Sequence, residues 1–332
     1  MINHDVLEDQ TYEAFRKKCE ETGLLQRPVD LAVNDALDGV NDETTLRRFL
    51  RADKGDVDKA FLRYREACAV REKTHLLQLY EEIDVEDFEK ARILYPHWSG
   101  RRDKRGNPIC LFDISRLDSK VLSEYSTSRT SAASGPSPAL LRSLAFHECL
   151  TRFVLPLCTA SAPHSQPVTA CLYLVDITGF GIKQAWSVKN YAQDISKVLA
   201  NNYPEMVDKV LVVGAPRYFG QIWKMLKGWL DPVTAAKIEI LDSADVTKTL
   251  SQFIDLENIP KQFGGSFEFE HGMLPNVELR IQEVLDGVLP AGCSLAGPFK
   301  WVVDEAGKRS VVPLGTVKGA RRDKAVQKVG AV

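Results

Sequence analysis

Between residues 168 and 254 the chain alternates nearly continuous apolar runs with helix-patterned segments, and this alternation restricts it to a narrow set of folds. The runs VTACLYLVD (168–176), KVLVVGAP (209–216) and KIEILD (237–242) have strand length and lack the polar alternation of a sheet with one wet face. Strands of this kind are covered on both sides, which calls for a mostly parallel sheet beneath helices. Helices are expected at 182–199, 218–230, 233–236 and 245–254, with another from about Leu140 to Cys158. ICLFDIS (109–115) adds a further strand, entered through the turn Asp103 to Pro108. The expected fold class is α/β.

A small helical module precedes this core. From Asp42 to about Tyr80, Leu46, Phe49, Leu50, Val57, Phe61, Leu62 and Tyr64 recur at steps of three and four, with a break near Gly55 and with Asp42 and Asp56 placed as N-caps. The expected organisation is an N-terminal extension (1–40), a helical module (41–92), an α/β domain (93–272) and a C-terminal extension (273–332). Within the domain, STSRTSAASGPSP (126–138) has a Ser, Gly and Pro composition that predicts a flexible insertion. After Phe263-Gly264-Gly265 the pattern weakens, with strand-like pieces near Phe267 and Val302, and from Asp304 onward seven Lys/Arg face three Asp/Glu, which predicts a basic, disordered tail.

Several function classes are disfavoured by what the chain does not carry. With 43 Lys+Arg against 45 Asp+Glu, nothing attracts nucleic acid globally. The N-terminal stretch is acidic and polar where a secretory signal needs a basic start and an apolar stretch, and no apolar run approaches the roughly 20 residues of a membrane span. A cytoplasmic protein with peripheral membrane contact is expected. Seven scattered cysteines, without a CxxC or a Cys/His cluster, predict reduced thiols and no metal site. Gly179-Phe-Gly181 after a strand is half of a dinucleotide fingerprint, but Gln184 fills the third position and no acidic residue ends a second strand, so these are expected to be turn glycines. His147-Glu148 is expected to be a surface or cap pair, and no catalytic motif is present: neither enzyme activity nor a cofactor is expected.

Two segments carry more. In RYFGQIWKMLKGWL (217–230), Phe219, Ile222, Trp223, Leu226 and Leu230 form an apolar stripe opposite Arg217, Lys224 and Lys227. A helix of this kind suits either packing on a sheet or a membrane interface. In the next segment Asp231 is placed as an N-cap before Pro232, so that Thr234 and Lys237 would share a face near the positive end of a helix, where free backbone N–H groups could meet a phosphate.

At these residues the chain resembles the CRAL-TRIO lipid-binding family, in particular its phosphatidylinositol transfer members of fungal type. The resemblance runs from about residue 40 to 270, through RRFLRA…DVDKAF, Tyr95-Pro96, DKRGNPI, VDITGFG, NNYPE, KVLVVGAP, WLDPVTAAKI and IPKQFGG in order. It implies a helical bracket on an α/β domain whose sheet floors an apolar pocket for one lipid under a helical gate, with segment 217–230 (Phe219, Ile222, Trp223, Lys224, Leu226, Lys227, Trp229) as gate and membrane contact. It implies headgroup binding by Glu205, Thr234 and Lys237, the carboxylate accepting from inositol hydroxyls and the other two donating to the phosphodiester. Gly264 and Gly265 would support the gate. Where phosphatidylcholine-exchanging members carry Ser, Thr and Tyr, this chain has Cys171, Tyr173, Ser99 (beside Trp98) and Cys110, so weak or no phosphatidylcholine binding is expected in a pocket lined by Cys110, Cys171 and Tyr173. The implied function is to carry phosphatidylinositol between membranes, or to present it to an enzyme such as a lipid kinase, as a monomer. Two alternatives stay open: a carrier of a sterol-like or isoprenoid lipophile, and a lipid-regulated signalling interaction module.

Overall fold

The structure is a computed structural model that describes residues 4–129, 135–162, 166–242 and 244–322, with side chains from residue 8 onward except those of 182 and 183. It begins with three helices: α1 (His4–Glu21), α2 (Glu43–Ala52) and α3 (Val57–Lys73). They share a core of Phe15, Cys19, Leu46, Phe49, Leu50, Phe61 and Tyr64. The expected border between an extension and a helical module at residue 40 is therefore not a packing border, because Phe15 of α1 meets Tyr64 of α3 edge to face at 6.2 Å. Asp56 caps α3 by accepting from the Lys59 amide at 3.1 Å, as its position predicts. Asp42 instead accepts from the Gly39 amide and the Thr44 and Thr45 hydroxyls. Leu62 is exposed: adjacent helix residues point about 100° apart, and Phe61 takes the inward position.

Helices α4 (Leu76–Glu82) and α5 (Val85–Arg92) lead into a five-stranded sheet of β1 (His97–Arg102), β2 (Pro108–Asp113), β3 (Cys171–Asp176), β4 (Val207–Val213) and β5 (Ile238–Ile240), ordered in space as in sequence. β1 is antiparallel to β2, and every other pair is parallel. The crossovers carry α6 (Ser119–Ser128), α7 (Pro138–Cys149) and α8 (Leu155–Ala160), then α9 (Ile182–Ser187) and α10 (Lys189–Asn202), then α11 (Phe219–Lys227) and α12 (Pro232–Ala236). Successive right-handed crossovers in one direction stack their helices on one face of a sheet. That near face presents Cys110, Phe112, Cys171, Tyr173, Val210 and Val212 to the large core. The far face presents Ile109, Leu111, Leu172, Leu174, Leu211 and Val213, and is sealed by α13 (Val246–Phe253) and the turn through Ile259 and Phe267.

The helix expected from Leu140 to Cys158 is interrupted by a wider turn at Leu150–Val154, just before Pro156, whose missing N–H and bulky ring break regular α-helical bonding. Of the insertion expected at 126–138, residues 126–128 close α6 and Pro138 opens α7, while 130–134 lie outside the described residues. After α14 (Leu279–Val288) the strand-like piece expected near Val302 is part of a strand, and the disorder expected from Asp304 is corrected for residues up to 322. β6 (Phe299–Val303) and β7 (Arg309–Pro313) form a hairpin, and β8 (Thr316–Val317) pairs with β9 (Ala320–Arg321). Phe299, Trp301 and Val311 belong to the large core, the Tyr80 hydroxyl donates to the Phe299 carbonyl at 2.6 Å, and buried Lys300 pairs with Asp35 at 2.8 Å and with Glu81. Of the basic residues that suggested a solvated tail, Arg309 pairs with Asp38 at 2.6 Å and Arg321 with Glu81 at 3.3 Å. The remaining tail, 323–332, lies outside the described residues.

His147 is corrected from a surface pair to a core residue. It stacks on Tyr203 at 5.2 Å, and its Nδ1 lies 2.6 Å from the Ser143 carbonyl. Burial lowers its pKa to about 4, and that of His97 to about 3, from 6.5. The folded state therefore resists protons that the unfolded chain accepts below pH 6.5. Their stabilising contribution is complete above that pH and declines as pH falls through 6.5 toward 4. Urea midpoints at pH 7.5 and pH 5 should show the loss, and His147→Gln should make it smaller.

Candidate functional site

Glu205 comes from the turn before β4, and Thr234 and Lys237 from α12 and its C-terminal cap; the structure brings them to one small cavity of about 70 Å³ at the edge of the sheet. The NNYPE turn carries Glu205 with φ at +56°, a left-handed conformation that costs a non-glycine residue about 1–2 kcal/mol. This strain aims the carboxylate across the start of β4 at Lys237, whose Nζ donates to Glu205 Oε2 at 2.9 Å and to the Val207 carbonyl at 2.7 Å. Asp231 caps α12 and is tied to α10 through its amide, which donates to Ser196 Oγ at 2.8 Å.

Two details of the expected phosphate cradle are corrected. The Asp231 carboxylate accepts from the Val233 and Thr234 amides at 2.9 and 3.1 Å, so these N–H groups are occupied. Lys237 lies at the C-terminal end of α12, away from its positive end. Any attraction of the cavity for a phosphate therefore rests on side chains.

Sequence pattern alone missed Arg63. It reaches the same cavity from α3, held by two bonds of 2.8 Å to Asp53 and one of 3.1 Å to the Ala200 carbonyl. The Asp53 bonds raise its pKa, so the guanidinium stays charged. On a helix, Arg63 looks like any solvated basic residue; only the docking of α3 against the end of α10 places it here.

Beside this cavity α11 covers the near face of the sheet. Phe219 and Ile222 are buried and Trp223, Met225 and Leu226 are half-buried, all in the core that also contains Cys110, Cys171 and Tyr173. Lys224 and Lys227 are exposed, as the stripe predicts. Trp229 meets Trp186 of α9 at 5.5 Å with Lys189 over its ring, and Trp186 is 58% exposed. Trp186 gave no periodic signal because α9 is only six residues long.

Under α11 the space is closed. Cys110 and Cys171 are 0% exposed, and the Tyr173 hydroxyl is buried without a hydrogen-bond partner. Burial drives the Cys110 thiol and the Tyr173 hydroxyl far above their ordinary values, so both stay protonated and neutral. On β1, Trp98 is the residue opposite Cys110 and shares its core, whereas the Ser99 hydroxyl donates to the Ile109 carbonyl.

Gly264 and Gly265 do not lie against α11. A Cβ on Gly264, whose φ is +87°, would stand 2.2 Å from Thr247 Oγ1, and one on Gly265 would stand 2.0 Å from the Ile259 carbonyl oxygen. Both brace the cover of the far face. Gly179 and Gly181 have open space around an added Cβ, so no close backbone approach requires them to be glycine. Among the described residues no group of three or more His, Cys, Asp or Glu could hold a metal ion, and no helix is long and apolar enough to cross a membrane.

Comparison with known proteins fits this geometry. The CRAL/TRIO domain family model matches residues 95–265. A SEC14 cytosolic factor of Kluyveromyces lactis is 28% identical over 267 residues, covering 80% of each chain. A CRAL-TRIO domain-containing protein of Saccharomyces cerevisiae is 30% identical over 232 residues, 68% of this chain and 71% of that one. A phosphatidylinositol/phosphatidylcholine transfer protein of Arabidopsis thaliana is 25% identical across 79% of this chain and 45% of its own length. Among solved structures, the crystal structure of Sfh5 superimposes with a TM-score of 0.58 at 14% identity, covering 86% of this chain and 98% of that one, which is a likeness of fold.

The two strained turns should respond differently to substitution. Gly265→Ala forces the Ile259 carbonyl to move and should cost about 2 kcal/mol or more, visible by calorimetry as a melting point lower by several degrees. Glu205→Gly relieves a left-handed residue and should leave the melting point nearly unchanged.

Proposed function

The chain belongs to the CRAL/TRIO family, and on that premise we propose that it is a lipid carrier that binds phosphatidylinositol and moves it between membranes, or presents it to a lipid-modifying enzyme, without making or breaking a bond. The observation that carries this reading is the convergence of Glu205, Thr234 and Lys237 on one cavity beside α11. In the proposed complex Lys237 and Thr234 donate to the phosphodiester while Glu205 accepts from inositol hydroxyls, with Arg63 as an additional cation. The Lys237–Glu205 pair then exchanges one partner for the headgroup. Both side chains are partly solvated, so the exchange costs little.

The acyl chains would lie between α11 and the sheet, around Cys110, Cys171 and Tyr173. At about 0.8 kcal/mol per CH₂, chains of ordinary length travel through water only inside a closed cavity. Loading then requires α11 to swing outward at a bilayer. Trp186, Trp229, Lys224 and Lys227 form an aromatic and basic patch suited to that peripheral contact. Phosphatidylcholine is a poor cargo in this reading, because Cys110 and Cys171 are weak hydrogen-bond partners for a phosphate and Tyr173 and Trp98 fill space. One observation favours a second reading, a lipophile with a single acceptor atom such as a sterol or isoprenoid ketone: the unpartnered Tyr173 hydroxyl on that face.

Vesicle-to-vesicle transfer of labelled phosphatidylinositol and phosphatidylcholine tests the proposal. Wild type should move the first and hardly the second. Lys237→Ala and Thr234→Asp should each reduce phosphatidylinositol binding roughly 10- to 100-fold, the scale of one charge-assisted hydrogen bond, at an unchanged melting point. Equal transfer of both lipids would overturn the selectivity, and full activity of both variants would overturn the headgroup site. Mass spectrometry of lipid extracted from native protein separates the second reading, which requires a neutral lipophile.

A further inference from the structure

A second cavity, of about 290 Å³, lies where the helical module meets the sheet domain, walled by the 23–41 loop, α2, α3, the start of α4, Leu144 of α7 and Tyr203 at the end of α10. Leu24, Val40, Phe49, Leu76, Leu77 and Leu144 give it an apolar lining. Two arginines stand in the same wall and differ in their bonding. Arg71 is paired: its guanidinium donates to Glu148 Oε1 at 2.7 Å and to the Gly39 carbonyl at 3.3 Å. Glu148, 0% exposed, also accepts from the Tyr203 hydroxyl at 3.0 Å, so this network is closed.

Arg48 is 3% exposed and, among the described residues, makes no ion pair. Its Nη2 donates to Thr45 Oγ1 at 3.1 Å, and its Nη1 is buried without a partner. The carboxylate that acts most on Arg48, Asp42, is already satisfied by the Gly39 amide and by the Thr44 and Thr45 hydroxyls. The Asn41 side-chain oxygen, in the same wall, also lacks a partner. A buried guanidinium without an ion-pair partner costs several kcal/mol, and burial lowers the pKa of Arg48 against the smaller opposing pull of Asp42 and Glu148. A cation at this position is explained by an anion that joins it.

We propose that this cavity binds a small amphipathic organic anion, with its carboxylate or phosphate on Arg48 and its apolar body against Leu76, Leu77 and Leu144. The volume is at the lower limit for ligand pockets and suits a fragment-sized molecule rather than a lipid with two acyl chains. The site is independent of the headgroup reading, although Tyr203 lines both cavities, so an occupant sits one side chain from the turn that carries Glu205.

Calorimetric titration of the full chain with octanoate, octyl phosphate and inorganic phosphate, with octanol as the neutral control, tests the proposal. Saturable binding of octanoate or octyl phosphate is expected, with octanol silent and inorganic phosphate at least tenfold weaker than the better amphiphile. Arg48→Met should weaken binding at least tenfold. Ala67→Leu, which fills the cavity from α3 and leaves Arg48 in place, should do the same and serves if Arg48→Met fails to fold. Lys237→Ala should leave binding within about twofold. The proposal is overturned by no saturable binding of either amphiphile, by octanol binding as tightly as octanoate, by inorganic phosphate binding as tightly as either, or by anion binding that persists in Ala67→Leu. Loss of binding in Lys237→Ala would place the anion at the headgroup cavity and overturn it equally.

Discussion

A parallel sheet must be covered on both faces, and the two covers of this one are built differently. The far cover is fastened by backbone: the Phe267 amide donates to the Ile259 carbonyl at 3.0 Å, the Lys261 amide to Phe267 at 2.9 Å and the Thr247 hydroxyl to Phe263 at 2.8 Å, around a glycine pair with no room for a side chain. The near cover ends in α11, which is held chiefly by apolar contact. Phe219 and Ile222 are its fully buried side chains, worth about 1.5–3 kcal/mol each. A cover held by a few kcal/mol of apolar contact can be exchanged for an apolar surface elsewhere, and a bilayer is such a surface. In the proposed carrier this asymmetry favours opening on the near side, where Cys110, Cys171 and Tyr173 lie.

Charge is distributed to match. The Arg71–Glu148–Tyr203 network, buried between the helical module and the domain, holds two parts of the chain in register, and removing one partner would strand the others. The Lys237–Glu205 and Arg63–Asp53 pairs sit at a partly solvated rim, where a ligand can compete for their donors. Arg48 belongs to neither group. It has the burial of the first and, among the described residues, makes no ion pair.

Much of this could be read in the chain before its fold was known. The parallel core followed from three apolar runs without alternation, and the amphipathic character of α11 from the spacing of Phe219, Ile222, Trp223 and Leu226. Thr234 and Lys237 were singled out by the cap and spacing of the DPVT turn, whereas Glu205 joined them only through family resemblance, since no local rule links a YPE turn to a DPVT turn about 30 residues on. Local rules also misled. The N-cap that promised free amides to a phosphate consumes them through Asp231, and the basic residues of the expected tail include Arg309 and Arg321, paired with Asp38 and Glu81.

What the sequence determined by itself is which segments must be hidden, because periodicity and apolar content fix how much of each element can face water. It therefore determined the α/β class, the helical module and the amphipathic helix. Which distant side chains share a cavity was decided only by tertiary structure. Arg63 joins Lys237, and Tyr203 comes to separate two cavities, through the docking of helices whose surfaces are individually ordinary. Hydrophobic patterning acts over a few residues along the chain, whereas an electrostatic site forms from whatever packing brings within a few ångströms.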